Sequence, residues 1–93
     1  MYDNRECIMQ LEVLTSPTCQ PCKRQKAEID EYIDNTNANI RIKFINIIDN
    51  MEVAEMYNIS SVPALVLKRN EEVVKKHIGV LAGKKLEDFL KVG

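Results

Sequence analysis

Cys19-Gln20-Pro21-Cys22 is the most informative feature of this chain, because it places two thiols two residues apart between a predicted strand and a predicted helix. The apolar run over residues 8–14 predicts a strand, residues 15–18 a turn, and the residues from Cys22 onward a helix. We therefore expect Cys19 to lie at the N-terminus of that helix, where unpaired backbone N–H groups and the helix dipole favour a thiolate. Two thiols at this spacing suit either disulfide exchange or metal binding, and the rest of the chain must decide between them.

The length and composition of the chain exclude several classes of protein. Its 93 residues give room for one domain, 1–93, of which 45% of residues are hydrophobic and 29% are charged. The formal net charge of −1 does not indicate a surface for nucleic acid or anionic membranes. The polar N-terminus lacks the apolar segment of a signal peptide, and no apolar run approaches the roughly 20 residues that span a bilayer. We therefore expect a cytoplasmic protein.

The chain contains three cysteines, an odd number that is not typical of a disulfide-stapled secreted scaffold. Cys7 starts the first predicted strand and Cys19 follows its end. At roughly 3.3 Å of rise per residue the two lie about 20 Å apart, well beyond the reach of a disulfide. Cys7 is therefore interpreted as a structural or partly exposed thiol, with a peripheral regulatory thiol as the alternative.

The middle of the chain predicts a helix, a strand and a short second helix. Apolar residues at helical spacing among many charges indicate an amphipathic helix over 22–36. Alternating apolar and basic residues indicate a half-exposed strand over 40–44, with an extension to residue 48. Asp49 or Asn50 can cap the short helix that follows and runs to residue 57. The residues expected to face inward from it are Met51, Ala54 and Tyr57.

The last third of the chain predicts a pair of strands and a final helix. The continuous apolar run over 62–67 is typical of a buried central strand. A hairpin connection over 68–71 leads to a second strand over 72–78, whose charges suit a sheet edge. A helix over 84–92 places three apolar residues on one face, namely Leu86, Phe89 and Leu90. The predicted fold class is α/β, a four-stranded mixed sheet in the order βαβ–αββα with helices on both faces.

Ser61-Val62-Pro63 is the second informative stretch. A proline at the head of a buried strand is unusual, because it lacks the N–H that a ladder needs and is tolerated mainly at the first residue of a strand. One interpretation is that Pro63 only marks the start of the strand. Its combination with the upstream Cys-x-x-Cys motif favours a functional role.

Together these stretches resemble the thioredoxin superfamily. The residues that carry the resemblance are 15–22, then 61–64, then Ile78-Gly79 before an amphipathic terminal helix. The chain is most similar to the small thioredoxin/glutaredoxin-like proteins that begin directly with the strand before the active site, and the similarity extends from Cys7 to the end. It implies a minimal thioredoxin fold and a monomeric, cytoplasmic thiol–disulfide oxidoreductase. The expected substrates are protein disulfides, the expected electron donor resembles thioredoxin reductase, and the redox-active Cys19–Cys22 pair needs no further cofactor.

The resemblance also implies a role for each residue of the site. Cys19 would be the nucleophile that forms a mixed disulfide with the substrate, and Cys22 the resolving thiol. Pro63 would match the family's cis-proline and expose the backbone of Val62 to an extended substrate strand. The two residues between the cysteines, Gln20 and Pro21, would border the substrate and tune the redox potential.

The chain departs from the family pattern at several positions. Thr18 stands where larger thioredoxins carry tryptophan, and Val13 stands where they carry a buried aspartate six residues before the nucleophile. The neighbouring acid, Glu12, either assists proton transfer to Cys22 or is salt-bridged or solvated. Lys23, after the motif, would favour the thiolate electrostatically or simply be solvated. Residues 78–83 lack the Gly-Gly-Asp segment with which glutaredoxins hold glutathione, so a glutathione-dependent reductase is the less favoured alternative.

Two further alternatives belong to other functional classes. A metal-binding module would use the Cys-x-x-Cys pair, and Cys7 with His77 would complete a set of three sulfur ligands and one nitrogen ligand. The distance estimated between Cys7 and Cys19 argues against that set, so no metal site is predicted. A non-catalytic interaction module would have no need of both thiols together with Pro63.

Overall fold

A mixed sheet of four strands forms the centre of the computed structural model, which describes residues 9–36 and 39–91. The strands are β1 (Met9–Thr15), β2 (Ile40–Asn46), β3 (Ala64–Arg69) and β4 (Glu72–Ile78), and the helices are α1 (Gln20–Thr36), α2 (Met51–Met56) and α3 (Gly83–Leu90). Their spatial order is β2-β1-β3-β4, with β1 parallel to β2 and the other two pairs antiparallel. The predicted fold class and element order are confirmed. Cys7 lies outside the described residues.

The two central strands are buried on both faces. Leu11 to Leu14 in β1 and Ala64 to Leu67 in β3 are buried without interruption, which explains why the sequence of β3 reads as one apolar run. Because successive side chains of a strand point to opposite faces, Leu11 and Val13 lie on one face of the sheet while Glu12 and Leu14 lie on the other.

Each face of the sheet carries its own hydrophobic core. The core under α1 and α3 contains Leu11, Val13, Ile29, Leu65, Leu67, Leu81, Leu86 and Leu90. The core on the α2 side contains Leu14, Ile45, Tyr57, Ile59, Ala64 and Val66. Phe89 is half-buried against the first core, so the expected face of the last helix is confirmed.

Helix α2 differs from its prediction in orientation and capping. Met51 was expected to face inward, but its side chain is 64% exposed. The helix has six residues, fewer than two turns at about 3.6 residues per turn, and it packs against the second core through Val53 and Ala54 rather than Met51. Asn50 occupies the cap position without capping, because its side-chain amide donates to the carbonyl of Asn46 at 2.9 Å. The inward position of Tyr57 is confirmed, and Ala54 is half-buried.

Three elements begin at residues other than those predicted, among them α3, which begins at Gly83 rather than at residue 84. Helix α1 begins at Gln20, directly after Cys19, rather than at Cys22. Strand β3 begins at Ala64, because Pro63 has no N–H for the ladder. The β3–β4 connection is a two-residue turn in which Asn70 and Glu71 both have positive φ, 51° and 77°, the arrangement whose twist suits a hairpin.

Candidate active site

Cys19 and Cys22 form a disulfide whose Cα atoms are 5.2 Å apart, within the usual range for such a bridge. The two sulfurs differ in access. Cys19 is half-buried at the start of α1, whereas Cys22 is 6% exposed and faces the interior. An incoming sulfur therefore reaches Cys19 first.

The start of α1 supplies a hydrogen bond to the Cys19 sulfur. The backbone N–H of Cys22 donates to Cys19 Sγ at 3.1 Å, as an N–H of the first turn donates to an N-cap side chain. The N–H of Cys19 donates to the carbonyl of Ser16 at 3.2 Å and closes the turn after β1. In the reduced protein this donor and the helix dipole favour negative charge on Cys19.

The Val62–Pro63 peptide bond is cis, as the family resemblance implied. Leu14 of β1 pairs with Ala64 of β3, so Pro63 lies at the end of the sheet from which the chain continues into the cysteine motif. The carbonyl of Pro63 accepts a hydrogen bond from the N–H of Gly79 at 2.8 Å. Gly79 has a φ of +108°, a conformation that side-chain-bearing residues rarely adopt. The Pro63 backbone and the segment after β4 are therefore joined.

Glu12 lies on the opposite face of the sheet from α1, in a buried polar cluster. Its carboxylate accepts hydrogen bonds from the Tyr57 hydroxyl at 2.6 Å, from Gln10 Nε2 at 3.0 Å and from Lys68 Nζ at 3.4 Å. Glu12 and Tyr57 are only 6% and 7% exposed. Cys22 lies on the face of α1 that carries Ile29, toward the other core, so the salt-bridged interpretation of Glu12 is the one that these contacts support.

The same cluster shifts two proton affinities. Burial raises the pKa of Tyr57, and its hydrogen bond to the Glu12 carboxylate raises it further, against the opposing effect of Lys68. Burial by itself lowers the pKa of Lys68, but the contacts with Tyr57 and Glu12 outweigh burial and leave that pKa above its ordinary value. Both shifts favour the protonated groups in the folded protein.

Val13, which stands where larger thioredoxins carry a buried aspartate, is buried in the structure as well. It is fully buried on the α1 face and pairs in register with Phe44 of β2 and Leu65 of β3. An apolar side chain thus occupies the position of the family's buried aspartate, and its two partners in register are apolar too.

Three of the remaining predicted site residues lie in the first turn of α1, whereas His77 lies on β4. Gln20, Pro21 and Lys23 are exposed in the first turn; Pro21 fits there because that turn needs no N–H from it. The roles of Gln20 and Pro21 in substrate binding and of Lys23 in tuning stay predictions. His77 is half-buried on β4, and its ring contacts that of Phe89 with centroids 6.3 Å apart.

Gln25 is a buried residue of the site region that the sequence pattern did not reveal. It lies one turn after Cys22 and is completely buried. Its Nε2 donates to the carbonyl of Leu81 at 2.9 Å, and the N–H of Leu81 donates back to its Oε1 at 2.7 Å. A glutamine in an amphipathic helix usually indicates the solvent face, so only the partner in the distant loop could have identified it.

The described residues, 9–36 and 39–91, contain neither a cluster of metal ligands nor a helix that could span a membrane. No three His, Cys, Asp or Glu side chains of this part lie together so as to hold a metal ion. Nor does this part contain a helix with the length and apolar character to cross a membrane.

Comparison with known proteins identifies the family. The family model described as Thioredoxin matches residues 6–92. The chain is 30% identical over 80 residues to NADPH-dependent thioredoxin reductase 3 of Arabidopsis thaliana, covering 86% of this chain and 15% of that protein. It is 29% identical over 75 residues to a thioredoxin of Haemophilus influenzae, covering 81% of this chain and 70% of the relative.

Among solved structures, a mutant thioredoxin from Halobacterium salinarum is similar in fold. It has a TM-score of 0.81 and 21% identity and covers 91% of this chain and 74% of its own. Because the family match extends through nearly the whole described chain and the sheet and helices agree with it, this chain belongs to the thioredoxin family.

Proposed function

We propose that this chain is a thiol–disulfide oxidoreductase that reduces protein disulfides in a reducing compartment through Cys19 and Cys22. The observation that carries the proposal is the unequal access of the two sulfurs. The accessible Cys19 sulfur accepts the Cys22 N–H at a helix start, while the Cys22 sulfur behind it is buried. A nucleophile and a resolving thiol require this arrangement.

The reaction transfers two electrons in two exchange steps. The Cys19 thiolate attacks one sulfur of the substrate disulfide, the substrate S–S bond breaks, and the leaving thiolate takes a proton from water. Cys22 then loses its proton to water and attacks Cys19 Sγ. The mixed disulfide breaks, the Cys19–Cys22 disulfide forms, and the second substrate thiolate leaves.

An external dithiol must return the two electrons. A flavin-dependent reductase of the thioredoxin reductase type is the proposed donor, and a plant relative carries the name of such a reductase. A reducing protein should have a potential near the roughly −270 mV of thioredoxin. Equilibration against dithiothreitol buffers measures it, and a value above about −180 mV would favour isomerase or oxidase work instead.

An extended substrate segment is proposed to pair with the backbone of Val62 beside Cys19. Pro63 is buried and has no N–H, whereas Val62 is half-buried and lies at the end of the sheet that carries the motif. Gln20 and Pro21 would border the same segment from the first turn of α1. Peptide pairing of this kind recognises an extended backbone rather than one side chain.

Reduction of insulin disulfides under dithiothreitol tests the proposal. The wild type should accelerate insulin precipitation, Cys19→Ser should abolish the acceleration, and Cys22→Ser should retain a mixed disulfide with the substrate. Turnover by Cys19→Ser equal to that of the wild type would refute the assignment. Stoichiometric zinc in the reduced, purified protein would favour the metal-binding alternative.

A further inference from the structure

We propose that Gln25 is a positioning residue that sets the spacing between the cysteine helix and the backbone against which a protein substrate docks. This inference rests on the proposed function, because it names what makes the site select extended protein disulfides. It concerns the pair formed by Gln25 and Leu81, called the Gln25–Leu81 clamp below.

In the clamp, the side-chain amide of Gln25 binds both main-chain polar groups of Leu81, as a second backbone segment would do in a sheet. The amide of Gln25 both donates to and accepts from the main chain of Leu81, at 2.9 and 2.7 Å. Gln25 is completely buried and Leu81 is 7% exposed, so water does not compete well for either group. Without the amide, the N–H and carbonyl of Leu81 would be left buried without these partners, which is unfavourable in a protein interior.

The clamp joins α1 to the segment 79–82, which connects β4 to α3. The other end of this segment is attached to Pro63, whose carbonyl accepts the Gly79 N–H at 2.8 Å. The segment is therefore fixed at two points, to the cis-proline backbone and to the helix that carries Cys19. Gly79 at the first point and Val80 between the two points are half-buried and partly open to solvent.

Because of this two-point attachment, Gln25 sets the distance between α1 and the segment 79–82. If the clamp is lost, the segment 79–82 can move relative to α1 while the disulfide and the first turn of the helix stay intact. A protein substrate that pairs along Val62 would bind less well, whereas a small disulfide that needs only the Cys19 sulfur would react as before. The expected signature is a rise in KM for protein disulfides alone.

The first test compares Gln25→Met with wild type on insulin and on 5,5′-dithiobis(2-nitrobenzoate). Loss of one paired buried contact should raise KM for insulin about tenfold, while kcat and the rate with the small disulfide stay within about twofold. Arg24→Met is the matched control, because Arg24 is the exposed neighbour in the same helix and should leave both substrates unaffected. Exchange of the Leu81 amide hydrogen should accelerate in Gln25→Met only.

The second test uses Gln25→Glu, which keeps the shape of the side chain. A protonated carboxyl has one O–H donor and one carbonyl acceptor and can reproduce both bonds to Leu81, whereas an ionised carboxylate has no donor. Because burial favours the protonated carboxyl, the KM of the variant relative to wild type should be close to one at pH 6 and should rise toward that of Gln25→Met as the pH is raised to 9. Cys22 and Glu28 of α1 and His77 beside Gly79 are present in both proteins, so dividing the KM of the variant by that of the wild type removes their contribution to the pH dependence.

The outcomes separate this inference from the function on which it rests. A wild type that reduces neither disulfide overturns the proposed function and the inference together. A wild type that reduces both, with Gln25→Met folded and its KM for insulin unchanged, overturns only the inference. Equal losses on insulin and on the small disulfide would reduce Gln25 to a purely structural role and also overturn it.

Discussion

Replacing Tyr57 with phenylalanine removes one hydroxyl from the buried cluster around Glu12 and leaves the ring in place. That hydroxyl donates to Glu12 Oε1 at 2.6 Å, and a hydrogen bond to a charged group contributes about 1.5–3 kcal/mol. Gln10 and Lys68 still reach the other oxygen at 3.0 and 3.4 Å, so the carboxylate keeps part of its compensation. We therefore expect Tyr57→Phe to lower the free energy of unfolding by about 2 kcal/mol.

Urea unfolding at pH 7, followed by circular dichroism, measures this loss. The midpoint should fall with an unchanged m-value, and Tm should fall by about 10 °C for a domain of this size. Tyr32→Phe is the matched control, because Tyr32 is half-buried and its hydroxyl forms none of the hydrogen bonds seen between described residues. A loss below about 0.5 kcal/mol, or one equal to that of Tyr32→Phe, would refute the importance of the buried hydroxyl.

Three other perturbations have defined outcomes. The raised pKa values of Tyr57 and Lys68 mean that the folded state holds these protons more tightly, so stability should fall as pH rises above about 10, and less steeply in Tyr57→Phe; a Cys7→Ser background avoids thiol attack on the disulfide. Gly79→Ala should lower the free energy of unfolding in urea by about 1–3 kcal/mol. The loss comes from the φ of +108°, which is strained for alanine, and not from a clash, because the nearest atom to the added Cβ is 3.9 Å away. Val13→Asp should cost about 3–5 kcal/mol at pH 7 and less near pH 4, since protonation removes the buried charge; equal losses at both pH values would contradict this reasoning.

Local patterns were sufficient to predict the sheet and the position of the cysteines. The alternation in β2, the continuous burial of β3 and the strand–turn–helix sequence around Cys19 all depend on neighbours in the chain. The cis bond before Pro63 was inferred from the family resemblance and is present. The burial of Gln25 and the exposure of Met51 were not predicted, because the contacts that decide them are distant along the chain.

Gln25 shows most clearly why a distant contact cannot be predicted from a local pattern. Its partner Leu81 is 56 residues away, so no periodicity in α1 distinguishes this buried amide from a solvated one. The prediction for Met51 was wrong for a related reason: α2 packs through Val53 and Ala54 against a core that contains residues of the distant strands β1 and β3.

The position of Glu12 could be predicted from the sequence, because strand alternation already places it on the opposite face of the sheet from Val13. Adjacent residues of a strand cannot both face α1, so an acid at position 12 does not occupy the place of the family's aspartate. The sequence permitted this conclusion, and the buried partners Tyr57 and Lys68 explain what the acid does instead.

The opposition of Glu12 and Val13 across the sheet has a consequence for engineering. The buried cluster of Glu12, Tyr57 and Lys68 lies on the α2 side, whereas the bonds that join Gly79 to Pro63 and Leu81 to Gln25 use amide groups that do not titrate near neutral pH. The bonds that attach the segment 79–82 to Pro63 and to α1 therefore do not depend on pH near neutrality. Changes to the Glu12 cluster can adjust how well the protein survives heat or alkali, and changes at the first turn of α1 can adjust its reactivity, so that the two properties can be optimised separately.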